Sequence, residues 1–172
     1  MSSAIESKNK KSSSLSEFQP EEQTTFIQAV TEYSEKFSSA KNELQQSVLR
    51  DERKAAIERS VNGYSISSWI GTISQLETNS DGKAIVSIAI SPRIEIQTWN
   101  NALSDIGSNT LIEKGSSLYS SLLQLTKGQM VEFSGVFFES DTDYLKETSM
   151  TIDGSMRSPE FLFNFRTIKP IT

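Results

Sequence analysis

Asp141, Asp143 and Glu147 are the one acidic group with ligand-like spacing in this chain of 172 residues. The chain has no Cys and no His. Thiolate and imidazole metal sites, disulfides and any triad with a His base are therefore excluded. An all-carboxylate Mg²⁺ or Ca²⁺ site is the only metal chemistry left open. The Asp141–Glu147 run lacks the glycine and the further acceptors of a twelve-residue calcium loop. A solvated loop is the better reading. No glycine-rich phosphate cradle occurs, and no nucleophile has an identifiable base. The expectation is a protein with no catalytic residues, no metal and no cofactor.

A second constellation is basic. Arg50, Arg53, Lys54 and Arg59 are interleaved with Asp51, Glu52 and Glu58. Such a stripe can track phosphates, or it can be a solvated helix face laced by pairs three and four residues apart. Equal numbers of acids favour the second. The formal net charge is -5, and residues 63–172 hold 8 Lys/Arg against 12 Asp/Glu. A nucleic-acid binder gathers positive charge, because neutralising phosphates supplies most of its affinity. This chain lacks that excess.

These side chains are carried by three regions. Residues 1–19 are rich in Ser, Lys and Asn and read as a flexible tail. No window approaches the ~18–20 apolar residues of a membrane span. Met1–Ser14 has no apolar core, so no signal peptide is expected. The expectation is a cytoplasmic protein, the alternative being one whose leader or anchor has been removed. Residues 20–62 read as one long amphipathic helix. Pro20 opens it, Glu21 and Glu22 suit its first turn, and Asn62-Gly63 closes it. Phe26, Val30, Tyr33, Phe37 and Leu44 form a heptad seam. At 1.5 Å per residue such a rod would be about 60 Å long, too long for one small barrel to cover. The seam is expected to meet a second copy, a partner protein, or itself after a break near Gln45-Gln46-Ser47; packing on its own barrel is the alternative.

Residues 63–172 spell five strand-like segments: Ser65–Glu77, Lys83–Ser91, Arg93–Trp99, Met130–Glu139 and Glu160–Ile168. A short helix, Ser116–Leu125, falls between the third and the fourth. Phe161, Phe163 and Phe165 alternate, as an inward face of a barrel requires. A small hairpin is expected inside 140–159, with Glu147–Ile152 extended and Asp153-Gly154 turning. The fold class is mainly β with a long N-terminal helix: a five-stranded Greek-key barrel. The segments Trp69-Ile70-Gly71-Thr72-Ile73, Lys127 to Gly135 and Phe161-Leu162-Phe163-Asn164-Phe165 resemble the OB-fold superfamily, in particular bacterial helix-plus-OB proteins of the tRNA-anticodon-binding-like type. That resemblance implies a binding role with no particular ligand. The usual face of such a barrel is the outside of strands two and three. It would present Lys83, Ser87, Arg93, Glu95, Gln97 and Trp99, with Lys83, Arg93, Gln97 and Trp99 as the candidate ligand contacts. One aromatic and two basic residues are thin for single-strand recognition, which needs several stacking platforms in a positive groove. The expected function is a non-enzymatic interaction module: the helix mediates self-association or partner docking, and the barrel binds a protein. Single-stranded nucleic-acid binding is the alternative.

Overall fold

A computed structural model describes residues 15–171. Met1–Ser14 of the expected tail lie outside the described residues. The rest of that tail is structured: Leu15 is buried, and Gln19 donates hydrogen bonds to the barrel.

Two helices stand where one rod was expected. Helix α1 spans Glu21–Ser38 and α2 spans Glu43–Ser60. The physical reason is a helix start inside the seam. The Asn42 side chain accepts from the Gln45 N–H at 2.9 Å, and the Gln45 Oε1 accepts from the Lys41 N–H at 2.8 Å. This exchange is a variant of the capping box, and it lets the chain reverse at Ser39–Asn42 without leaving donors orphaned. The break falls a few residues before the Gln45-Gln46-Ser47 position considered from sequence.

The strands are β1 (Ser65–Thr78), β2 (Ala84–Ser91), β3 (Ile94–Gln97), β4 (Met130–Phe137), β5 (Glu139–Ser140), β6 (Tyr144–Leu145) and β7 (Glu160–Pro170). Five of them close a barrel in the order β1-β2-β3-β7-β4, while β5 and β6 form a separate hairpin. Only β3 and β7 pair in parallel within the barrel. Helix α3 (Ser117–Leu122), capped by Ser116, lies between β3 and β4. This order and the place of α3 are compatible with an OB-like barrel. The long β1 serves both halves, pairing with β4 through Thr72 and with β2 from Thr72 onward. Gly135 stands where β4 crosses β7. A Cβ there would run into the Asn164 carbonyl oxygen and come within 2.6 Å of the Phe163 ring.

The inward faces follow the expected period of two: Val86, Ile88 and Ile90 on β2, Val131, Phe133 and Phe137 on β4, and Phe161, Phe163 and Phe165 on β7 are all buried. Helix α1 is seated on this core. The Phe26 ring lies 5.2 Å from Trp69 and 5.3 Å from Phe161, and Val30 is fully buried beside it. The connection from β4 to β7 differs from expectation. Its hairpin is β5–β6, and the Asp153-Gly154 stretch lies in a short helix, α4 (Ile152–Arg157). Thr151 starts that helix by accepting from the Gly154 N–H at 3.0 Å.

Candidate interaction surface

The outer face of β2 and β3 is a hydrogen-bonded belt of neutral groups edged by carboxylates. Ser87 is buried, and its hydroxyl lies 3.1 Å from both the Gln75 and Gln97 side-chain oxygens, which share its single proton. The Gln97 amide continues the belt to Thr148 Oγ1 at 2.8 Å and Glu160 Oε2 at 3.0 Å. Beside it Ser74 donates to Glu95 at 3.0 Å. Glu95 and Glu160 are register partners across β3 and β7. Burial pushes the Glu95 carboxyl above its ordinary value; the Ser74 hydroxyl opposes this and the Glu160 charge adds to it.

The four residues expected to make a ligand face do not converge. Lys83 precedes β2 and Arg93 follows it, so their backbones are roughly 30 Å apart at the rise of a strand. Lys83 lies 3.7 Å from Glu113, and Arg93 is exposed at the β2–β3 turn. Gln97 is held by the belt. Trp99 is half-buried, its backbone N–H donates to Thr110 Oγ1 at 2.9 Å, and its buried indole N–H has no partner among the described residues. Between Lys83 and Arg93 this face carries the carboxylates of Glu95 and Glu160 rather than further cations.

The seam residues are divided by the turn. Phe26, Val30, Tyr33 and Phe37 are buried within the chain, whereas Leu44 is 80% exposed. Leu44 joins Gln45, Val48 and Leu49 around a shallow apolar depression of about 360 Å³ on α2.

The acidic group and the basic stripe meet each other, which neither sequence reading anticipated. Arg50 forks onto Asp143 through two bonds of 2.8 Å. Arg53 reaches Glu147 at 3.2 and 3.4 Å, and Lys54 donates to the Asp141 carbonyl at 2.7 Å. Burial raises the cost of ionising Asp143. The hydrogen bonds and charge of Arg50, helped by Arg53 and Lys54, nonetheless hold its carboxyl below the ordinary range. These contacts dock α2 against the β5–β6 hairpin and the segment that follows it. They take the place of the solvated loop, and of the local pairs along α2, that were expected.

One surface was missed from sequence. Residues 100–109, between β3 and α3, form a loop. Asp105 is buried and organises that loop from within: Oδ1 accepts from the Thr110 N–H at 2.7 Å and its hydroxyl at 2.6 Å, and Oδ2 accepts from the Leu111 N–H at 3.0 Å. Its backbone carbonyl accepts from the Ser108 and Asn109 N–H groups at 3.0 Å each. On either side of this anchor Leu103 and Ile106 stand 80% and 76% exposed. Asp105 is the loop's only charged residue, so its outward surface is neutral. The available signal was an aliphatic pair flanking an aspartate among asparagines, which composition alone does not separate from an ordinary turn. No protein-family model and no curated protein matches this chain.

Proposed function

We infer that this chain is a non-enzymatic interaction module whose barrel docks a protein partner through the 100–109 loop. One observation carries the reading: two large aliphatic side chains held out into solvent by a loop that is already locked by a buried carboxylate. Exposed aliphatic side chains scattered singly need no explanation, but a rigid pair on a loop whose one charged residue is buried has the character of an interface anchor. Because Asp105 fixes the loop beforehand, docking would cost little ordering entropy. An apolar pocket without strong charge on the partner fits this surface. The Leu44–Val48 strip on α2 is a second contact for a partner or another copy. The belt of amides and carboxylates on β2 and β3 weighs against nucleic acid, which would meet Glu95 and Glu160 where it needs cations.

The test is affinity capture from the native host with the wild-type chain and with Leu103→Asp and Ile106→Asp. Both side chains are exposed, so far-UV dichroism and the unfolding midpoint should be unchanged. A protein retained by wild type and lost from both variants supports the reading. Identical retention by all three refutes it.

A further inference from the structure

Helix α2 is attached to the barrel by an unusual contact. Of its 18 residues only Arg53 and Ile57 are buried. A helix with so thin an apolar stripe depends on its polar contacts for its position. The central one is the Arg53–Glu147 pair, whose side chains are only 2% and 4% exposed.

The two partners are unequally served. Arg53 has neutral partners besides Glu147: the Ser155 carbonyl at 3.3 Å and the Phe161 ring, whose centroid is 5.7 Å from its guanidinium carbon. Those contacts persist whatever the charge on Glu147. Glu147 has Arg53 alone as hydrogen-bond partner among the described residues, through bonds of 3.2 and 3.4 Å that are longer than the 2.8 Å fork of Arg50 on Asp143. The Arg53 Nε–H is buried and has no partner among the described residues. A carboxylate removed from water and compensated this loosely is costly in its charged form.

We propose that the docking of α2 on the barrel is proton-linked, with Glu147 as the titrating group, so that the helix is held more tightly when Glu147 is protonated and loosens as it ionises. Burial pushes the Glu147 carboxyl up to about 7, against the pull of Arg53 and Arg50 and with some help from Asp143. The other charges around it are already engaged. Lys54 donates to the Asp141 carbonyl, and on α4 Asp153 and Arg157 pair with each other at 2.7 Å. Lys146 precedes Glu147 in the chain and is exposed, and Glu160 at the start of β7 is bound to Gln97 and Thr148. The direction follows from linkage. A carboxyl whose value is higher docked than free binds more protons docked, so docking is favoured at low pH and weakens as pH rises toward and through the docked value. The weakening covers pH 4.5 to about 7.

The experiment is hydrogen exchange at the Ile57 amide, expressed relative to its intrinsic rate, together with a carbon-13 titration of the Glu147 carboxyl. Between pH 6 and pH 8 the Ile57 protection should fall about tenfold in wild type, as linkage gives for a shift from the ordinary 4.5 to about 7. In Glu147→Gln it should stay constant within about twofold. In Asp143→Asn, whose parent group ionises below this window, the decline should persist. A Glu147 carboxyl midpoint below about pH 5 overturns the proposal, as does an equal decline in Glu147→Gln. An equal decline at the Phe133 amide of β4 also overturns it, since that would report global unfolding. If Glu147→Gln does not fold, the carboxyl titration of the wild-type chain decides alone.

Discussion

Replacing Gln23 by leucine should weaken the seating of α1 on the barrel at a calculable cost. Gln23 is fully buried on α1, yet its amide behaves as a piece of backbone. Nε2 donates to the Ile70 carbonyl at 2.6 Å and Oε1 accepts from the Ile70 N–H at 2.8 Å. Leucine is close in size and removes both bonds. The Ile70 carbonyl keeps the Gln19 amide at 3.0 Å, but the N–H keeps no partner among the described residues. A buried donor left unsatisfied costs about 1–3 kcal/mol, and the lost bonds add about 1 kcal/mol. Against this, leucine has no amide to desolvate, which returns roughly 1 kcal/mol. The net expectation is a loss of about 2 kcal/mol, and at this chain length about 4–8 °C in Tm. Urea unfolding of the two proteins measures the loss. Exchange at the Ile70 amide locates it, because that proton should become labile while those of β4 do not. Gln23→Glu is the companion variant: it keeps the acceptor, loses the donor and places a carboxylate beside a carbonyl, so it should be worse at pH 8 than at pH 4. A leucine variant within about 0.5 kcal/mol of wild type, with Ile70 still protected, would refute the claim that this amide joins α1 to β1.

Three further outcomes follow from other sites. Gly135→Ala should cost about 3 kcal/mol in urea unfolding, because the new methyl meets the Asn164 carbonyl and the Phe163 ring at the β4–β7 crossing and neither can retreat from the closed barrel. Asp105→Ala should cost about 2–3 kcal/mol by leaving the Thr110 and Leu111 donors unmet, and exchange at those two amides should accelerate first. Asp143→Asn should destabilise the protein at pH 6, and the difference from wild type should vanish in acid. The folded-state carboxyl lies below its ordinary 3.8, so its contribution is present above that value and disappears as pH falls through the folded one; unfolding midpoints between pH 6 and pH 2 measure it.

Barrel strands were legible because their signal is local. Phe161, Phe163 and Phe165 must share a face once the segment is extended, and their burial bears this out. The seam was legible as a face and illegible as a length. Phe26, Val30, Tyr33 and Phe37 do share one side, but no glycine or proline marks the reversal after Ser38. The only local mark was the Asn42…Gln45 cap, whose composition is equally at home inside a polar helix. The pairing of Arg50 and Arg53 with Asp143 and Glu147 joins residues more than ninety positions apart. No periodicity encodes such a match. The Leu103–Ile106 surface was hidden for a related reason: the aspartate that fixes it becomes a buried anchor only when Thr110 and Leu111 return to it.

The seating of Phe26 against Phe161 bears on how the chain is made. Helix α1 leaves the ribosome early, but the ring it rests on belongs to the last strand. Until that strand is synthesised, the buried side of α1 has no seat, and its aromatic residues are open to whatever is nearby. A nascent chain stalled before Glu160 should therefore bind general chaperones through this helix, and completion of β7 should release them.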